Sequence, residues 1–211
     1  MTAPLVIAVD GPAASGKGTV ATGLATLYGL PYLDSGLLYR AVGVLAERGS
    51  GAVTEASAEA AARGLDPKVL DDPALRTRAA GELASQAAVF PSVRAALLIF
   101  QRDFAAQGSG AVIDGRDIGT VIAPAARAKL FVTASPEVRA ERRWKQLKGQ
   151  GESVELADIL TDIRLRDERD SGRAAAPLLM ADDAVLLDTS NLSIEQAADA
   201  ARRIVETARA L

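Results

Sequence analysis

The chain has 211 residues, enough for one domain or one domain with an insertion, and enough to bury a substantial core. Apolar residues make up 49% and charged residues 24%, which excludes a disordered chain, and 24 Lys+Arg against 27 Asp+Glu (net −3) excludes nucleic-acid binding through an overall basic field. With neither cysteine nor histidine, the chain has no disulfide, thiolate nucleophile, zinc finger, iron–sulfur cluster or histidine base. Chemistry must therefore run on Lys, Arg, Asp, Glu, hydroxyls and backbone amides, with or without a hard metal ion.

The opening Met1-Thr2-Ala3-Pro4 lacks the charged start of a signal peptide, and no apolar run approaches the ~18 residues of a membrane span. The expectation is a cytoplasmic protein with no membrane and no nucleic-acid partner, monomeric by default. Leu5–Val9 is continuously apolar and β-branched, as in a strand buried on both faces. A Gly/Ala/Ser loop follows, then a helical pattern with Val20, Leu24, Leu27 and Tyr28 on one face, closed by Gly29 and Pro31. Further strands are expected at Pro31–Leu33, Ala111–Ile113, Lys129–Val132 and Ala184–Leu187. Helices are expected at Leu37–Arg48, Pro91–Gln107, Pro136–Leu147, Leu156–Arg169 and Ile194–Ala210. Alternation of this kind predicts an α/β fold, a five-stranded parallel sheet flanked by helices. Gly49 to about Val89 reads as a helical insertion and Lys148–Ser153 as a mobile loop tip. The expected division is a single domain with a core of residues 1–40, 105–140 and 174–211, an insertion at about 41–104 and a lid at about 141–173.

Gly11, Pro12, Ala13, Ala14, Ser15, Gly16, Lys17, Gly18 and Thr19 form G-x-x-x-x-G-K between a predicted strand and a predicted helix. Glycines let successive N–H groups wrap a phosphate, the helix N-terminus adds its positive end, and Lys17 reaches the terminal phosphates. Gly18 stands where a Ser or Thr is usual and Thr19 one step later, so no residue is assigned as a metal ligand. An accidental glycine turn is disfavoured by the flanking elements, but the motif alone does not choose among kinase, GTPase and ATPase. The only asparagine is Asn191, so an N-K-x-D guanine reader is absent. Small size, one phosphate loop and an arginine-rich second half point to a small-molecule kinase, where planar guanidiniums suit the transferring phosphoryl group.

Three further segments carry candidate acceptor residues. Leu33-Asp34-Ser35-Gly36 opens the helix bearing Arg40, with Ser35 a candidate N-cap. Asp114-Gly115-Arg116-Asp117-Ile118-Gly119-Thr120 follows an apolar strand at the end where α/β sheets bind ligands. Arg166, Arg169, Asp170 and Arg173 share one helical face, which reads equally as a solvated charged stripe. Asp117 reads equally as a helix cap, Ser85 as a helix-interior serine, and Trp144 more readily as packing than as a ligand platform.

Together, GPAASGKGT, LDSGLLYR, Ala84-Ser85-Gln86 with Phe90-Pro91-Ser92-Val93-Arg94, DGRDIGT, and the arginines to Arg173 with Ala176-Pro177-Leu178 resemble the bacterial cytidylate kinase family across essentially the whole chain. The stretch between Arg40 and Ser85 departs from that family in being shorter, with Leu65–Leu70 its only strand candidate. The resemblance implies phosphoryl transfer from ATP, with Mg²⁺, to CMP or dCMP. It places ATP on Gly11–Thr19, with Arg142 against the adenine. It places CMP on Ser35, Arg40, Arg116 and Arg173, with Ser85, Arg94 and Asp117 at the cytosine, and Arg166 and Asp170 at the ribose or the transferring phosphates. Lys17, Arg116, Arg166 and Arg173 would be the catalytic set. The alternatives are a kinase for UMP, AMP or shikimate, or a catalytically silent nucleotide-binding module.

Overall fold

The computed structural model describes residues 4–210; the opening Met1-Thr2-Ala3 lies outside them. The Leu5–Val9 run becomes β1 (Val6–Asp10), the middle of a five-stranded parallel sheet ordered β2-β3-β1-β4-β5. Its partners are β2 (Tyr32–Asp34), β3 (Ala111–Gly115), β4 (Ala128–Thr133) and β5 (Val185–Asp188). The register sets Asp10 beside Gly115 on one flank and Phe131 on the other. From β1 the chain leads toward the β2 edge, and from β4 it leads to β5. The direction of winding thus reverses between β1 and β4, which opens a crevice at their carboxyl ends.

The chain divides into two compact units, one that runs to Leu33 and resumes at Asp103, and a second, Asp34–Arg102. In the first, Ile7, Val9, Val112, Leu130 and Val132 of the sheet pack with Val20 and Leu24 of α1 (Lys17–Tyr28) and with Ala197, Ala201 and Val205 of α8 (Ile194–Ala210). Each fully buried Val, Leu or Ile contributes about 1.5–3 kcal/mol. The small residues on α8 recur every four positions, so the helix lies close on the sheet. Gly29 ends α1 in the left-handed region (φ +62°), its N–H bonding Thr26 while Leu30 bonds Ala25. One expectation fails there: Leu27 is exposed, and Tyr28 is the partly buried residue packed on the cluster.

The same unit holds α6 (Pro136–Gly149) and α7 (Leu156–Gly172), packed through Ala140, Leu147, Ile159 and Ile163. Trp144 is a packing residue of this pair, its indole N–H donating to the Val154 carbonyl at 3.1 Å. Leu156, which opens α7, is exposed.

The second unit is helical: α2 (Ser35–Ser50), α3 (Glu55–Arg63), α4 (Arg78–Ala87) and α5 (Pro91–Ala105), the last running past the division. Helices α2 and α4 approach so closely at Gly43 that a Cβ there would meet the Leu83 carbonyl carbon at 2.6 Å. The strand expected at Leu65–Leu70 does not form. Pro67–Asp71 and Pro73–Arg76 are 3-10 turns, each led by a proline and capped by the preceding aspartate, Asp66 on the Lys68 N–H and Asp72 on the Ala74 N–H. Asp34, not Ser35, is the N-cap position of α2, and Ser35 is its buried first residue. Residues 34–40 lie in the second unit. Among the described residues no single helix is long and apolar enough to cross a membrane.

Candidate active site

The loop Gly11–Thr19 leaves the carboxyl end of β1 and enters α1. Gly11 lies against β4: with φ at +151°, a Cβ there would meet the Val132 carbonyl oxygen at 2.0 Å. Ala14 (φ +59°) and Gly16 (φ +87°) turn the loop through the left-handed region, in which consecutive N–H groups can converge on an anion. Gly16 caps α1 without a side-chain acceptor, so no cap side chain occupies the helix's first N–H groups. A cleft of about 700 Å³ opens on this loop, lined by Gly16, Lys17, Thr19, Arg142, Gln146 and Thr189 among others. Its size suits a nucleotide. The uncapped helix start, with Lys17 beside it, suits the triphosphate.

Arg142 reaches this wall from α6, but its guanidinium is engaged. It donates to the Thr189 hydroxyl at 2.9 Å, the Thr189 carbonyl at 2.7 Å and the Ser15 carbonyl at 3.4 Å. Thr189, just past β5, donates its own hydroxyl to the Ser15 carbonyl at 2.9 Å. Arg139, one turn earlier on α6, is buried; its Nε donates to the Ala134 carbonyl (2.8 Å) and Nη1 to the loop carbonyl of Ala13 (3.3 Å). Its two terminal nitrogens also grip both carboxylate oxygens of Asp167 on α7 at 3.0 and 2.6 Å. One guanidinium thus ties the phosphate loop to α7.

Helix α7 carries the second constellation. Asp170 is buried, and three arginines close on it: Arg116 Nε at 2.8 Å, Arg166 Nε at 3.8 Å and Arg173 Nη1 at 3.8 Å. Burial pushes the Asp170 carboxyl upward, but Arg116, Arg166 and Arg173 together outweigh it and hold the group below the ordinary aspartate value. Arg173 also donates to the Ala176 carbonyl at 2.8 Å, and the Leu178 N–H bonds the Asp170 carbonyl at 2.8 Å, folding the following segment back onto the helix end. The charged stripe of the sequence is therefore drawn inward at Asp170, whereas Arg164 pairs with Glu137 in solvent. Arg116 comes from the β3 end, 54 residues away in the chain.

Asp117, beside Arg116, is buried. It occupies the cap position of a π-helical turn, Ile118–Ile122, without a side-chain cap bond. Turns of that kind are concentrated at functional sites. Next to them Asp114 accepts from the Tyr32 hydroxyl at 3.1 Å. Among the described residues no group of three or more acidic side chains is placed to hold a metal ion.

The remaining sequence candidates stand in the second unit. Arg40 donates to the Leu75 and Thr77 carbonyls at 2.7 and 3.1 Å. Arg94 donates to the Ala88 carbonyl at 3.3 Å and lies 5.4 Å from the Tyr39 ring centroid. Ser85 is buried on α4. Lys17, Arg116, Asp117, Arg166, Asp170 and Arg173 share the first unit; Ser35, Arg40, Ser85 and Arg94 share the second. Sequence reasoning missed Arg139, Thr189 and Asp10. The signal for Thr189 was its place just after an apolar strand. Arg139 was masked by the other arginines of its helix.

A family model described as cytidylate kinase matches residues 7–207. A protein named cytidylate kinase from Caulobacter sp. (strain K31) is 68% identical over 206 residues, covering 97% of this chain and 95% of its own length. Another of that name, from Xanthobacter autotrophicus, is 64% identical over 206 residues, covering 98% and 99%. Among solved structures, an uncharacterized protein from Eubacterium ventriosum superposes with a TM-score of 0.55 at 14% identity, covering 96% of this chain and 99% of its own. A sugar kinase from Janibacter sp. superposes at 0.52 and 17% identity, covering 98% and 97%. At those identities the likeness is one of fold.

Proposed function

The chain belongs to the cytidylate kinase family, and from that premise we propose how its own residues carry a phosphoryl group from Mg²⁺·ATP to CMP or dCMP. An oxygen of the acceptor phosphate forms a bond to the γ-phosphorus as the bond to the β,γ-bridging oxygen breaks, so that ADP leaves and CDP or dCDP is made. The acceptor is its own nucleophile: with a second pKa near ~6, a phosphate monoester is largely dianionic at neutral pH and needs no base. A chain without histidine suffers no handicap in this reaction.

On the donor side, the amides of Gly11–Thr19 and the Lys17 ammonium hold the ATP phosphates. Mg²⁺ bound with ATP would supply charge neutralisation on the leaving group. Arg142 borders the nucleotide cleft. Since its guanidinium is bonded to Thr189 and the Ser15 carbonyl, it acts as a wall more than as a mobile clamp. Arg116, Arg166 and Arg173 stabilise the transferring phosphoryl group and grip the acceptor phosphate, with Asp170 keeping the three guanidiniums together. Asp117 accepts from the cytosine amino group. In the second unit Arg94 and Ser85 satisfy the base's acceptors, and Ser35 and Arg40 bind the nucleotide. The observation that carries this reading is the gathering of three arginines on one buried carboxylate, in the unit that also bears the phosphate loop.

The test is ADP release from Mg²⁺·ATP with CMP, dCMP, UMP, AMP, GMP or shikimate, run on the wild type and on Asp117→Ala. Turnover led by CMP or dCMP, with that preference eroded in Asp117→Ala, supports the reading. Turnover led by another acceptor refutes the base-reading roles. ATP binding with no acceptor-dependent turnover points to a silent nucleotide-binding module.

A further inference from the structure

Asp10 is the last residue of β1, immediately before Gly11 of the phosphate loop. Its buried carboxylate is turned toward the loop that follows β3. Oδ1 accepts the Ile118 N–H at 2.8 Å and Oδ2 accepts the Gly119 N–H at 2.7 Å. These are the two peptide groups directly after Arg116-Asp117. They open the π-helical turn, where an anion is favoured and where Asp117 supplies no cap. The seat is tight: a Cβ on Gly119 would meet Asp10 Oδ2 at 3.3 Å and the Lys129 Cδ at 3.2 Å.

Burying this carboxylate is unfavourable in itself. Desolvation, aided by the neighbouring Asp117, raises its pKa to about 6 against the opposing pull of the two backbone bonds and Arg116. An ionised group kept in such a place at neutral pH calls for a reason. Phosphoryl transfer between two nucleotides needs no carboxylate at this position. What the carboxylate does is geometric: it joins the root of the donor loop to the segment that presents Arg116 and Asp117.

We infer that Asp10 is a positioning residue: by holding the Ile118 and Gly119 N–H groups it fixes Arg116 and Asp117, and so the acceptor side of the reaction, relative to the phosphate loop. The inference rests on the assignment of Arg116 and Asp117 to the acceptor.

The test is steady-state kinetics of Asp10→Asn, Asp10→Glu and wild type, with CMP and ATP varied separately, beside calorimetric titration with ADP. Asparagine keeps one acceptor and turns an amide donor toward a peptide N–H, so one bond is lost. The expected result is a CMP KM raised about tenfold and a kcat lowered tenfold or more, with ADP affinity within about threefold of wild type. Glutamate, which keeps the charge, is expected to recover part of the loss. If Asp10→Asn does not fold, Gly119→Ala is the second variant. It retains Asp10 but presses on its Oδ2, and is expected to show the same CMP-selective change more weakly. Unchanged CMP kinetics, or equal losses toward CMP, ATP and ADP, would overturn the inference. Wild-type turnover with CMP in the same assay checks the underlying assignment. Its absence would remove both, whereas normal wild-type turnover with unshifted variants removes the inference alone.

Discussion

Asp170→Asn removes one negative charge from among three guanidiniums while leaving the side chain's shape nearly intact. Arg116 Nε lies 2.8 Å from the carboxylate, and Arg166 and Arg173 lie 3.8 Å away; the four side chains are between 5% and 23% exposed. At an effective dielectric of about 20, a pair about 4 Å apart is worth about 4 kcal/mol. Desolvating the carboxylate takes back several kcal/mol of that sum. Removing one partner of a buried cluster leaves the others uncompensated, and a net loss of about 3 kcal/mol is expected. For a chain of this size that is a fall of roughly 6–12 °C in Tm. The pH dependence has a definite sign. The Asp170 pKa is lowered in the folded state, so its stabilisation is present above the unfolded value and is lost as pH falls through the folded one. Urea melts of wild type and variant at pH 7 and pH 5 should therefore differ by the same amount, the gap closing only in stronger acid. A loss under about 1 kcal/mol, or a gap that closes between pH 7 and pH 5, would refute this account of the cluster.

Other perturbations separate further parts of the account. Arg139→Lys keeps the charge but loses the fork that spans Asp167, Ala13 and Ala134; about 2 kcal/mol of stability should go, and a raised ATP KM should accompany it, as read by urea melts and kinetics. Ala14 sits at φ +59°, a region that strains any residue with a Cβ, so Ala14→Gly should stabilise the protein by about 0.5–1 kcal/mol in thermal melts. Asp10 acts opposite to Asp170. Its folded pKa of about 6 stands above the ordinary value of 3.8, so the folded state holds the extra proton between the two, and stability falls as pH rises through that window. The contribution is about 3 kcal/mol, and Asp10→Asn should flatten the corresponding slope in melts recorded across that window.

Much of the fold was legible because the strands of a parallel sheet are short apolar runs set between helical patterns. Gly29 marked the end of α1 because only glycine enters the left-handed region cheaply. Leu65–Leu70 misled because scattered apolar residues say that side chains pack, not that the backbone is extended. Prolines at 67 and 73 with aspartates before them make capped 3-10 turns instead, and Leu65, Val69 and Leu70 pack half-buried against residues of α2 and α4. The phosphate loop was legible because its chemistry is compressed into nine consecutive residues. The Arg116–Asp170 pair was not, since each half alone reads as an ordinary surface charge and only the fold closes the 54-residue gap. Asp10 forms its bonds to backbone groups 108 and 109 residues away, which no local pattern encodes.

The central claim is that one phosphoryl group moves directly from ATP to a cytidine monophosphate on this chain. The most direct measurement is incubation of the protein with Mg²⁺ and ATP labelled at the γ-phosphorus, with and without CMP, followed by separation of the nucleotides. The account predicts label in the β position of CDP, dependent on CMP, and strongly reduced in Lys17→Ala. Label released as inorganic phosphate at the same rate with or without CMP, with none appearing in CDP, would contradict it.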